Sequence, residues 1–127
     1  MAIKILDVGQ CHMDGPRMAA LWRKTMNATV DRCDTAREAL ERAGQTAYDL
    51  VLVNRILDAD GSSGLDLIRD LVASGSSAPV MLVSNHSDAQ DAAVALGAVR
   101  GFGKNALNDP KTTQLVEQAA NGHSKAN

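Results

Sequence analysis

Short apolar runs alternate along the chain with longer segments whose apolar residues recur every three or four positions. The short runs cover residues 3–8, 28–33, 49–54, 79–84 and 99–103, and each predicts a strand. Two of them contain "LVLV" and "VMLV", which are apolar at successive positions, as is typical of central strands covered on both faces. Because helix-length segments separate the runs, the pattern predicts βαβ units around a parallel sheet.

The segments between and after the strands predict five helices. The first, "DGPRMAALWRKTM", has Asp14 as its expected N-cap, Pro16 in its first turn and an apolar stripe at helical spacing. The fourth, "DAQDAAVALG", is short and rich in alanine. The fifth ends near residue 120, so we expect one domain over residues 1–120 and a flexible tail over residues 121–127.

Composition narrows the classes of function. The 127 residues carry 13 Lys+Arg against 15 Asp+Glu, without the basic field that nucleic acid requires, and one residue each of Trp, Tyr and Phe is too few for base stacking. The chain shows no apolar run of signal-peptide or membrane-spanning length, so we expect a cytoplasmic protein that binds neither nucleic acid nor a membrane. Cys11 and Cys33 are expected to be free thiols, because two irregularly spaced cysteines make neither a disulfide framework nor a zinc site.

Polar residues stand where the predicted strands end, and this edge of a parallel sheet is where such folds bind ligands. Residues 7–10 follow the first strand, Asn54 ends the third, Ser84 ends the fourth and Lys104 follows the fifth. A hydroxyl and a lysine on either side of the third strand's exit are expected of a pocket made for a phosphoryl group.

These strand exits resemble those of the receiver domain of bacterial two-component response regulators. "YDLVLVN" is similar to the family's third strand, which ends in the phospho-accepting aspartate; "PVMLVS" is similar to its fourth strand, which ends in Ser or Thr; and "GAVRGFGK" is similar to the stretch that ends in its required lysine. The resemblance covers nearly the whole chain. It implies an α/β, flavodoxin-like (βα)5 fold, in which a doubly wound, five-stranded parallel sheet of order 2-1-3-4-5 is flanked by helices.

The family's phosphorylation apparatus is incomplete in this sequence. The resemblance implies a magnesium ion held by the third-strand aspartate and a pair of acids after the first strand. Asn54 stands at the phosphoacceptor position, and an amide cannot form the acyl phosphate. The acidic pair falls either on Gly9 and Gln10, which have no carboxylate, or on Asp7 and Val8, which have one, and the sequence leaves this register open. We therefore expect no bound metal and no cofactor.

Ser84 and Lys104 keep the residue types of the family. A buried ammonium group needs a partner, so we expect a closed hydrogen-bonded network of Asp7, Asn54, Ser84 and Lys104. The alternative is that Lys104 extends into water.

Two departures near the fifth strand bear on switching. The family's switch aromatic falls on Gly101, and Phe102 beside it is expected to face the core. Asn105 replaces the cis proline that follows the family's lysine, so the peptide after Lys104 is expected to be trans.

These features predict a pseudo-receiver, a two-component signalling module that is not an enzyme and binds a protein partner without phosphorylation. The resemblance implies that the partner surface is the face of helix four, strand five and helix five, and the small residues of helix four leave this face open to homodimerisation. The alternative is a working phospho-receiver of a phosphorelay that uses Asp7, Asp58 or Asp60 as phosphoacceptor. Asp58 and Asp60 are otherwise expected to be turn formers.

Overall fold

Five strands and five helices alternate along the chain, as the hydrophobic pattern predicts. A computed structural model describes the backbone of residues 2–126 and the side chains of residues 2–122. The strands are β1 (Lys4–Val8), β2 (Thr29–Cys33), β3 (Leu50–Asn54), β4 (Val80–Val83) and β5 (Val99–Phe102). The helices are α1 (Asp14–Met26), α2 (Ala36–Gln45), α3 (Gly64–Ala73), α4 (Ser87–Ala95) and α5 (Pro110–Ala126), and a 3₁₀ turn (Lys104–Ala106) precedes α5.

The strands form one parallel sheet of order β2-β1-β3-β4-β5. This order confirms the expected doubly wound fold. The chain winds outward in one direction through β2 and in the other through β4 and β5, so strand order reverses between β1 and β3. A crevice opens at such a reversal, beyond the carboxyl ends of the strands, and the residues that follow β1 and β3 lie beside it.

Each face of the sheet is covered by its own apolar layer, as the successive apolar positions of β3 and β4 require. Leu6, Val51 and Leu82 face α2, α3 and α4, whereas Leu50 and Leu52 face α1 and α5. These side chains are less than 2% exposed. Burial of each large aliphatic side chain contributes roughly 2 kcal/mol, and together they hold the strand exits in place.

Helix boundaries depend on local capping, and here the structure corrects some expectations. The N-cap of α1 is Met13, without a capping side chain, so the prediction that Asp14 is the N-cap is wrong. In α3, by contrast, the hydroxyl of Ser63 accepts a hydrogen bond from the backbone of Asp66. The backbone of α5 continues to Ala126, so the helix does not end at the predicted boundary of residue 120.

Two further properties follow from this arrangement. Within the described residues, no helix combines the length and the apolar character needed to cross a bilayer. Cys11 and Cys33 are both free thiols, as expected. Cys33 is buried, and burial raises the pKa of its thiol to about 12, so this sulfur packs as a small apolar group.

Candidate functional site

A cleft of about 210 Å³ opens where β3, β4 and β5 end. Asn54, Ser84 and Lys104 line it together, as the strand-exit pattern predicts, and Asn85 and His86 form part of its wall. The parallel register brings these residues to one edge, because Asn54 pairs with Val83, the residue before Ser84. The cleft thus has the hydroxyl and the lysine expected of a phosphoryl pocket, and the amide of Asn54 lines it where β3 ends.

The Asn54 side chain acts as a hydrogen-bond donor. Its Nδ2 donates to the backbone oxygen of Gly9 at 3.0 Å, which ties the end of β3 to the turn after β1. The backbone nitrogen of Asp58 donates to the same oxygen, also at 3.0 Å. An aspartate at position 54 would place a carboxylate against this carbonyl oxygen and would lose the hydrogen bond. The amide of Asn54 therefore stabilises the contact between β3 and the turn after β1.

The register of the first strand is clear from its pairing with β3. Val8 pairs with Val53, so Gly9 is the residue level with Asn54, and Gly9 and Gln10 follow the strand. Gly9 has a left-handed backbone with φ of 80°, and a Cβ there would overlap the side chain of Leu57. An acidic side chain at position 9 therefore needs both a change of backbone and a displacement of Leu57.

Asp7 lies inside β1 and is 1% exposed. One carboxylate oxygen accepts a hydrogen bond of 3.1 Å from Gln10 Nε2, while the other has no hydrogen-bond partner within the described residues. Burial raises the pKa of Asp7 to about 7, against the opposing effects of Gln10, Arg32 and Lys104. With this pKa, the carboxyl group changes between its protonated and ionised forms near neutral pH.

Lys104 pairs with a residue that the sequence did not point to. Its Nζ lies 2.9 Å from Oδ2 of Asp14 in the first turn of α1, and the two side chains are 27% and 29% exposed. This ammonium group holds the pKa of Asp14 below its usual value. The peptide bond after Lys104 is trans, since the described part of the chain has no cis bond.

The predicted closed network of Asp7, Asn54, Ser84 and Lys104 is therefore wrong. Each of the four bonds outside the set. Asp7 accepts from Gln10, Asn54 donates to Gly9 and Lys104 pairs with Asp14, while the Oγ of Ser84 accepts from the backbone nitrogen of His86 at 3.1 Å. The physical reason is that β1 ends before Gly9, which leaves Asp7 within the strand. The ion pair to Asp14 satisfies the lysine instead.

The side chains at this edge do not fit a magnesium ion of the kind that the resemblance implies. Gly9 has no side chain, Gln10 and Asn54 offer neutral amides, and the buried Asp7 carboxyl has a pKa near neutrality. Magnesium is held in proteins chiefly by ionised carboxylates in octahedral array. Among the described residues, no group of three or more His, Cys, Asp or Glu side chains is placed to hold a metal ion.

The loop after β3 contains the two remaining candidate aspartates. Asp60 Oδ1 accepts hydrogen bonds from the backbone nitrogen and the hydroxyl of Ser62, at 3.0 and 2.7 Å, so it forms a turn as predicted. These bonds lower the pKa of Asp60. Asp58 has an exposed side chain, although its backbone is tied to Gly9.

Gln90 is a site residue that sequence reasoning missed. It lies on the inner side of α4 and is 5% exposed, with Nε2 donating 2.9 Å to the carbonyl of Leu82 and Oε1 accepting 2.8 Å from the backbone of Gly101. Phe102 faces the core as expected and meets Trp22 edge to face. The sequence does carry one indication that Gln90 is buried. It lies three residues before Ala93, on the side of α4 whose other buried residues are alanines.

Comparison with known proteins agrees with the geometry. The model of the response regulator receiver domain matches residues 5–120. The two-component response regulator PhoP of Pseudomonas aeruginosa is 38% identical over 69 residues, which are 54% of this chain and 30% of PhoP. The chain thus spans less than a third of that relative's length.

Solved structures show the same fold at lower identity. The signal receiver domain of an HD domain-containing protein from Pseudomonas fluorescens Pf-5 has a TM-score of 0.82 and 19% identity, over 98% of this chain and 91% of that one. A response regulator protein from Burkholderia pseudomallei, solved with a phosphorylated aspartic acid, calcium ion and citrate, has a TM-score of 0.72 and 21% identity, over 98% of this chain and 70% of that one.

Proposed function

The chain belongs to the response regulator receiver family, and from its altered pocket we propose that it signals without being phosphorylated. In this proposal it is a pseudo-receiver and has no enzymatic activity. It keeps the receiver scaffold and presents one surface to a protein partner.

The contact from Asn54 to Gly9 is the observation that carries the proposal. An amide nitrogen that donates to a backbone oxygen occupies the position of the phosphoacceptor, so the nucleophile is replaced by a structural hydrogen bond. After β1, Gly9 and Gln10 have no carboxylate that could hold magnesium. The loss of a nucleophile at position 54 and of magnesium ligands after β1 together supports the proposal.

A working phospho-receiver that uses Asp7, Asp58 or Asp60 is the competing function. Asp7 is buried within the strand, and the carboxylate of Asp60 is engaged by Ser62. Asp58 is the candidate among these three whose backbone reaches the site, through Gly9. The proposal therefore needs a test that detects modification at any aspartate.

The test is intact-mass spectrometry after incubation with phosphoramidate or acetyl phosphate and Mg²⁺, beside a receiver that retains its aspartate as positive control. We expect no phosphoryl adduct on this chain under conditions that modify the control. A hydroxylamine-labile phosphoryl adduct on an aspartate would overturn the proposal, and its loss in Asp7→Asn, Asp58→Asn or Asp60→Asn would identify the acceptor.

The surface that we assign to the partner is formed by α4, β5 and α5, on the strength of family membership. Val94 on α4 and Val99 on β5 are 43% and 40% exposed, and an ion pair between Arg100 and Asp91 of 2.7 Å lies between the same two elements. Exposed aliphatic side chains beside paired charges suit contact with a protein. We assign the surface to a protein partner, and a second copy of this chain is one outcome of the test given below.

A further inference from the structure

The pairing between β4 and β5 contains an irregularity that a single side chain fills. Met81 pairs with Val99 and Val83 pairs with Phe102, so one residue of β4 stands opposite two residues of β5. Such a bulge interrupts the ladder and leaves backbone groups without their usual partners. These groups lie beneath α4, where a buried donor or acceptor without a partner destabilises the fold.

The amide of Gln90 bonds to the backbone groups on both sides of this bulge. Its Oε1 accepts from the nitrogen of Gly101 at 2.8 Å. Its Nε2 donates to the carbonyl oxygens of Leu82, Ser84 and Phe102, at 2.9, 3.2 and 3.4 Å respectively. One side chain from α4 is thus bonded to the ends of two strands at once.

Gly101 makes this arrangement possible. A Cβ at position 101 would overlap the carbonyl oxygen of Leu82 and lie 2.7 Å from the side chain of Met81. A side chain at this position, an aromatic one included, would therefore require β5 to move away from β4. In place of the aromatic residue, the side chain of Gln90 contacts both strand ends.

We propose that Gln90 and Gly101 lock α4 to the ends of β4 and β5, so that this face of the molecule has a single conformation. A rearrangement of α4 would break the bond from Gly101 and both N–H donations of Nε2 together, because they share one amide group. The lock is a property of the fold by itself. Its biological meaning, a partner surface that is always presented, rests on the proposed function.

The lock can be tested without any phosphodonor or partner, so its failure is distinct from failure of the proposed function. The first measurement is NMR relaxation dispersion on the unmodified chain. We expect no microsecond-to-millisecond exchange at the amides of α4 and β5. Two-state exchange across residues 87–102 would overturn the proposal.

The second measurement is hydrogen exchange at the amide of Gly101. Gln90→Met keeps the length of the side chain and removes all of its hydrogen bonds, and Gln118→Met is the matched control on the exposed side of α5. We expect exchange of Gly101 to accelerate by at least about tenfold in Gln90→Met and to stay unchanged in Gln118→Met. Equal exchange rates in the two variants would overturn the lock, and the relaxation measurement stands if Gln90→Met does not fold.

Discussion

At the scale of single residues, the buried carboxyl of Asp7 is the most unusual group. One of its oxygens accepts from a neutral donor and the other has no partner among the side chains of residues 2–122, and burial outweighs the attraction of Arg32 and Lys104. Two cations therefore lie near enough to affect it without bonding to it. The reason is that Lys104 is engaged by Asp14, which is closer to solvent.

Asp7 should make folding stability depend on pH. Its pKa is raised from 3.8 to about 7 on folding, so the folded state binds a proton that the unfolded state releases between these values. Stability should thus fall as pH rises from about 4 to about 7 and level off above, by up to roughly 4 kcal/mol. Asp7→Asn should remove this slope, measured by urea unfolding at pH 5, 6, 7 and 8. The exposed Asp58→Asn serves as control, and identical slopes in Asp7→Asn and the unmodified chain would contradict the assignment.

Asn54 gives the second residue-scale prediction. Asn54→Asp removes the donor to Gly9 and sets a carboxylate against its carbonyl oxygen, so stability at pH 7 should fall by about 1–3 kcal/mol. The loss should shrink in acid, where the carboxyl group can donate its own proton. Asn108→Asp, at an exposed position before α5, is the matched control for urea unfolding. If Asn54→Asp proved as stable as this control, the amide would not be a structural donor.

At the scale of elements, the β5 bulge explains why the family's switch aromatic has no place here. Gly101→Tyr restores the aromatic residue, but its Cβ would overlap the Leu82 carbonyl, so we expect a loss of about 1–3 kcal/mol or more. Arg100→Tyr puts the same residue on the exposed neighbour and should cost less. The melting temperatures of the two variants are compared by thermal unfolding. Equal melting temperatures would contradict the prediction and would show that β5 can shift to accept a side chain at position 101.

The strands and helices could be predicted because each depends on local periodicity, and β3 and β4 are apolar at every buried position. The prediction that Asn54, Ser84 and Lys104 lie together at the strand exits is confirmed, because parallel strands end at one edge of the sheet. The partners of these residues could not be predicted. The pair of Lys104 with Asp14 and the bond of Gln90 to Gly101 depend on how α1 and α4 pack on the sheet. Residue spacing indicates that Gln90 is on the buried side of α4, but it does not identify the partner of either side chain.

At the scale of the whole molecule, the proposed partner surface can be located in the native host before the partner is known. A photo-crosslinking amino acid replaces Val94 or Val99, which are 43% and 40% exposed. Glu41, an exposed residue of α2, is replaced in the same way as the control. We expect crosslinks to one protein at positions 94 and 99 and none at 41, because α4 and β5 form the proposed surface. Mass spectrometry of the products shows whether that protein is a second copy of the chain, and crosslinks at position 41 alone would place the interaction on another face.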